Sequence, residues 1–194
     1  SIGGDHLISL PILRALAKDK PLGMFQFDSH SDTWDSYFGG HKYTHGTPFR
    51  RAIEENLIDP KKYVMLGIRG GLYDPEDMKW AIEQGVRVIT IDEYYKMGFK
   101  ETMNIVKETL GNTPTYFTFD IDGIDPTYAP GTGTPEVGGF NVRESQLIVR
   151  EMKDVNFIGA DVVEVSPPFD LNNMTSLVGA TIAFEILCAM TKSL

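Results

Sequence analysis

Three observations predict an α/β fold, a doubly wound parallel sheet with helices on both faces. Short, largely uninterrupted apolar runs recur at residues 22–28, 63–69, 86–91, Thr115–Asp120 and 157–165. Strands covered on both faces carry apolar side chains at nearly every position rather than at alternate ones. Amphipathic stretches with helix start and stop signals separate these runs. The βαβα alternation continues to the C-terminus, which is the pattern of an open parallel sheet.

The helical stretches follow in order. Thr47-Pro48 opens one that runs to Glu55, with proline at the first helical position, where no backbone N–H is needed. Asp74-Pro75-Glu76-Asp77 reads as an N-cap, a first-position proline and an acidic first turn, with Gly85 as the stop. Phe99–Leu110 ends at Gly111, Asn141 caps a helix reaching about Lys153, and 173–191 forms the last. Two segments break the rhythm: 29–46 and 121–139 are long, contain Gly and Pro, and each follows a strand ending in Asp. Ligands of open parallel sheets bind beyond the carboxyl ends of the strands, so chemistry is expected there.

The 194 residues suit a single domain. Eighteen Lys and Arg against 27 Asp and Glu leave a net charge of −9, without the clustered positive charge that nucleic-acid phosphates require. No apolar run approaches the roughly 20 residues of a membrane span, and no signal peptide opens the chain. The single cysteine, Cys188, excludes an internal disulfide and a cysteine-based zinc site. A soluble, cytoplasmic domain that binds neither nucleic acid nor membrane is expected.

All four histidines, His6, His30, His41 and His45, fall in the first quarter of the chain. His30 sits in Asp28-Ser29-His30-Ser31-Asp32, at the end of an apolar strand. In extended backbone, residues two apart share a face, so three ligand-type side chains converge. Asp120-Ile121-Asp122, followed by Asp125, repeats the arrangement after another strand. A carboxylate where a buried strand surfaces does not stay ionised without a partner. A lone D-x-D commonly caps a helix or clamps a loop; two such sets with clustered histidines point instead to metal. His6, Asp28, His30, Asp32, Asp120 and Asp122 supply two imidazoles and four carboxylates, too many for one zinc and suited to two ions sharing carboxylates. Oxygen-rich ligands without thiolate favour two Mn²⁺, whose +4 balances the four carboxylates.

These motifs resemble the ureohydrolases, the arginase and agmatinase family. Ile2-Gly3-Gly4-Asp5-His6, 27–32 and 119–125 are similar to its three metal motifs, and Asp125-Pro126 with 129–139 is similar to its longest signature. The resemblance implies one metal held by His6, Asp28, Asp32 and Asp120, and a second held by Asp28, His30, Asp120 and Asp122. Asp28 and Asp120 would then bridge. It implies that His45, in Thr44-His45-Gly46-Thr47-Pro48-Phe49, handles protons, and that Glu164 holds a substrate guanidinium. The implied reaction is hydrolysis of a small cationic guanidino compound to urea and an amine. Two metals would acidify a shared water, and Asp32 would pass its proton toward the leaving amine, with His45 assisting. The implied assembly is a homo-oligomer, trimer or hexamer.

The loop from Thr33 to Tyr43 carries four aromatic side chains and no asparagine, which resembles agmatinases more than arginases. Agmatine, giving putrescine, is the first expectation; 4-guanidinobutyrate or 3-guanidinopropionate is the alternative, favoured if Lys42 points inward. Arginase and formimidoylglutamase activities rank lower. His41 has no counterpart in the family motifs and is expected to be exposed. The glycines of Gly67-Ile68-Arg69-Gly70-Gly71 are expected to supply positive φ for a tight turn, since no phosphate-loop pattern follows. Residues 1–194 are expected to form one ureohydrolase catalytic domain lacking the family's N-terminal strands, with one sheet edge uncovered and His6 poorly anchored. A catalytically incomplete fragment that binds a partner through that edge is the reading from a different class.

Overall fold

The computed structural model describes residues 1–72 and 76–191. Five parallel strands, β1 (Leu22–Phe27), β2 (Ile58–Ile68), β3 (Arg87–Thr90), β4 (Thr115–Asp120) and β5 (Phe157–Val163), form one sheet in the order β3-β2-β1-β4-β5. The winding reverses between β1 and β4, which pair in register with Phe27 beside Phe119. Asp28 and Asp120 therefore leave the sheet side by side at the switch point, where such sheets open a crevice.

Alternate residues of the central strands feed two cores. Phe25, Phe27, Phe117 and Phe119 face α4 (Ile91–Met97), α5 (Phe99–Leu110), α6 (Val142–Glu151) and α7 (Met174–Thr191). The Phe27 and Phe119 rings stack 4.3 Å apart. Met24, Tyr63, Met65 and Tyr116 face α1 (Ser9–Leu16), α2 (Pro48–Glu54) and α3 (Asp77–Gln84). Burial on both faces explains the continuous apolar runs. The expected Asn141 cap is present as a reciprocal capping box with Glu144. The expected Asp74-Pro75 start of α3 lies outside the described residues, whereas Gly85 ends that helix at φ +108°.

Other boundaries differ. β2 begins at Ile58 rather than residue 63, because Pro60 and its polar neighbours occupy a register shift opposite β1. Ile91 opens α4 instead of ending β3, since the Thr90 hydroxyl accepts the Glu93 N–H and caps the helix. The unexpected α1 tolerates Pro11 because the first turn of a helix lacks backbone acceptors for its N–H groups. The stretch Leu171–Thr191 is long and apolar enough to cross a membrane by length and composition, which corrects the expectation that no such run exists. One face of it packs on the core, with Val178, Ile182 and Ile186 buried, while Leu177, Phe184 and Leu187 are exposed; Glu185 accepts a bidentate pair of hydrogen bonds from Arg150 of α6.

The edge beside β5 is also not bare along its whole length. Gly3 N–H donates to Val162, Val162 N–H to Ser1, and Glu164 N–H to Gly4, so residues 1–4 lie along β5. An apolar groove of about 450 Å³ remains beside Ile12, Leu16, Ile158 and Leu187.

Candidate metal centre

β1 delivers Asp28, whose two oxygens are fixed from below and from the loop. Oδ2 accepts from Gln26 Nε2 at 2.7 Å, and Oδ1 accepts from His30 N–H at 2.7 Å. Gln26 is itself buried and accepts the Tyr63 hydroxyl. A lone amide inside an apolar strand, two residues before the D-x-H-x-D, was the signal for this support, and the sequence reading missed it. β4 delivers Asp120, whose Oδ1 accepts Asp122 N–H at 2.8 Å while Oδ2 lies 3.0 Å from His6 Nδ1. Asp122 accepts from Ser29 through its N–H and hydroxyl and lies 3.0 Å from His30 Nδ1.

His6 is fully buried, contrary to the expectation that it would be poorly anchored. Its backbone N–H donates to Glu164 Oε1 at 2.5 Å, and its Nε2 lies 2.7 Å from Thr118 Oγ1. The strand-like path of residues 1–4 supplies the remaining restraint. Nδ1 faces Asp32 Oδ2 at 2.9 Å, Asp120 Oδ2 at 3.0 Å and Asp28 Oδ2 at 3.5 Å, yet it makes no hydrogen bond.

Electrostatics make the cluster unfavourable by itself. Burial, then the neighbouring carboxylates, push Asp28 and Asp120 well above the usual carboxylate range. Burial opposes charge on His30, but Asp122, with Asp28 and Asp32, outweighs it and raises the imidazole to about 10. His6 is raised in the same way by Asp120 and Asp32. Burial also opposes charge on Asp122, yet its bonds to His30 and Ser29 bring it down to about 2. Cations resolve this conflict, and the donor set fits them. His6, Asp28 and Asp120 form one group, and Asp28, His30 and Asp122 form another, each with ligand-type atoms within 4.8 Å of one another. Asp28 is common to both. Asp120 falls in the His6 group only.

A pocket of about 340 Å³ opens over the cluster. Asp32 and Glu164 border it, at φ +51° and +63°. Left-handed backbone at non-glycine residues is a strain that recurs at functional sites. Glu164 is half-buried, and burial raises its carboxyl. Trp34, Tyr37, His45, Gly71, Leu72 and Thr134-Pro135-Glu136 also line it; of these, the sequence reading had not singled out Leu72. His45 stands edge-on to Tyr37 and Phe38, with Nδ1 3.8 Å from Asp5 Oδ2. His41 is exposed, as expected. Lys42 is exposed and does not line the pocket, and no Lys or Arg does so among the described residues. Of the glycines at 67, 70 and 71, only Gly67 has positive φ, +104°. Gly70 serves differently, because a Cβ there would meet the His30 ring at 2.3 Å.

Residues 1–189 match the family model described as the Arginase family. The chain belongs to that family. It is 54% identical over its full length to the guanidinopropionase of Pseudomonas aeruginosa, covering 61% of that protein. It is 44% identical to the mitochondrial agmatinase of Gallus gallus, with 98% of this chain and 56% of that protein covered. The solved structure of the proclavaminate amidino hydrolase from Streptomyces clavuligerus superposes with a TM-score of 0.91 at 42% identity, covering all of this chain and 63% of the other. The chain thus spans about three-fifths of the length of these family members.

Proposed function

We propose that this chain carries the catalytic centre of a hydrolase that cleaves a linear guanidino compound to urea and an amine, with two Mn²⁺ as cofactor. The observation that carries the reading is one pocket in which a buried His/Asp cluster faces Glu164, an acid with one oxygen still available. His6, Asp28, Asp32 and Asp120 would hold one ion, and Asp28, His30, Asp120 and Asp122 the other. Such a pair acidifies water and supplies a nucleophile near neutral pH. Glu164 keeps Oε1 on the His6 amide, which leaves Oε2 to accept a guanidinium N–H and orient the cation. Asp32, beside His6 Nδ1, is placed to accept the proton from the attacking water. Its transfer to the alkyl nitrogen lets that C–N bond break as the urea carbonyl forms, with His45 at the mouth exchanging protons with solvent.

Agmatine is our first choice of substrate, because the pocket offers carboxylates, aromatic rings and, among the described residues, no lysine or arginine to pair a substrate carboxylate. A guanidino acid is the second reading, supported by the higher identity to guanidinopropionase than to agmatinase. Urea release from agmatine, 3-guanidinopropionate, 4-guanidinobutyrate and arginine, measured with Mn²⁺, tests both. We expect kcat/KM for agmatine to exceed that for arginine by about tenfold or more. Faster turnover of 3-guanidinopropionate than of agmatine gives the second reading. No urea from any of them rules out the hydrolase reading for this chain.

A further inference from the structure

Asp161 is a buried carboxylate with no role in the reaction above and, among the described residues, no cationic partner within salt-bridge distance. It stands on β5 in register with Thr118 of β4. Three hydroxyls donate to it: Thr118 Oγ1 to Oδ1 at 2.6 Å, and Tyr116 and Ser9 to Oδ2, each at 2.6 Å. An ionised carboxylate only accepts, so the single hydroxyl proton of Thr118 is committed to Asp161. Thr118 is then left to accept from His6 Nε2, which must carry the hydrogen. In a neutral ring that places the lone pair on Nδ1, the buried atom that faces Asp28, Asp32 and Asp120 without a hydrogen bond.

We propose that Thr118 and Asp161 are positioning residues that lock His6 in the tautomer whose Nδ1 can ligate a metal ion. The proposal rests on the metal-centre reading above. Metal-ligating imidazoles are held by such an outer partner, and losing it costs about 10–100-fold in metal affinity. Here the partner is a relay in which the carboxylate sets the direction of the hydroxyl, and the hydroxyl sets the ring. The prediction is therefore specific to one ion: His6 belongs to only one of the two ligand groups, so only that side weakens.

The test is a Mn²⁺ titration of the 194-residue chain, followed by calorimetry and electron paramagnetic resonance. The parent chain should show two ions with an exchange-coupled signal. Thr118→Val should weaken one site by about 10–100-fold, so that substoichiometric Mn²⁺ gives an uncoupled spectrum. Thr118→Ser, which keeps the hydroxyl, should restore affinity to within about threefold. Asp161→Asn should resemble Thr118→Val, because its amide donates to Thr118 and frees that hydroxyl to donate to the ring; it also carries the test if the valine variant does not fold. Tyr116→Phe removes a hydroxyl from Asp161 without touching the relay and should leave both sites intact. Unchanged affinities in Thr118→Val and Asp161→Asn would overturn the relay while leaving the dinuclear reading standing. So would a loss in Tyr116→Phe equal to that in Thr118→Val, since packing alone would then account for both. A parent chain that takes up no coupled pair overturns the metal-centre reading and the relay with it.

Discussion

Two positions, Gly70 and Glu164, shape the surroundings of His30 and of the proposed guanidinium subsite. At Gly70 the missing Cβ is what lets the His30 ring sit against the backbone, with Ser29 O only 3.0 Å from the position a Cβ would take. Gly70→Ala should therefore push the ring off Asp122 and weaken the His30-side ion about tenfold or more, with the fold retained. Mn²⁺ resonance spectra together with circular dichroism check this; unchanged affinity would mean that the ring adapts. Glu164→Gln keeps an oxygen for the His6 amide but removes the charge offered to a guanidinium. A fall of about 100-fold or more in kcat/KM for urea release is expected, with Mn²⁺ affinity little changed. Retention of parental kcat/KM would take Glu164 out of the site. Among residues, the ligand types and their order were legible in the sequence. Gln26, Thr118 and Asp161 were not, because a single polar residue in a strand does not reveal which neighbouring strand its side chain will meet.

At the scale of elements, α6 and α7 are joined by Arg150 and Glu185, whose carboxylate the guanidinium holds below its ordinary value of 4.5. A carboxylate with a depressed pKa stabilises the fold above its unfolded pKa and loses that contribution as pH falls through the folded one. Glu185→Gln should thus lower the melting midpoint at neutral pH, and the gap to the parent should narrow progressively as pH falls below 4.5. A gap that persists in acid would assign the effect to packing rather than charge. The helices with strong local signals, such as α6 with its capping box, were readable in advance. α1 and α4 were not, because Pro11 and the β-branched run ending at Ile91 argue locally for other structure, and packing against the sheet overrides them.

For the molecule as a whole, the acidic cluster couples stability to pH when no metal is bound. His6 and His30 hold protons in the folded chain that an unfolded chain releases near pH 6.5, and His30 retains its proton to about 10. Their contribution is complete below the unfolded value and is lost as pH rises through the folded one. The raised pKa of Asp28 and Asp120 acts in the same sense, since keeping them ionised and buried grows costlier as protons leave. The metal-free chain should therefore melt at progressively lower temperature from about pH 6.5 to 10. Added Mn²⁺ should raise the midpoint most at the alkaline end, because metal competes with those protons. Thermal scans with a chelator and with Mn²⁺ check this, and a chelated midpoint that stays level or climbs with pH would contradict it.

The sequence by itself determined the alternation of strands and helices, the identity of the ligand-type residues at the strand ends, and the family to which their motifs belong. Those features are set by neighbours in the chain: side-chain period, caps, and the chemistry that a D-x-H-x-D can perform. The tertiary structure decided which strand ends adjoin. Asp28 and Asp120 meet because β1 and β4 pair across the reversal of winding, and His6 joins them because residues 1–4 lie along β5. It also decided that Lys42 stays outside the pocket and that Thr118 reaches both Asp161 and His6. Strand order and register depend on long-range packing of two apolar faces, and no local pattern of residues encodes that pairing.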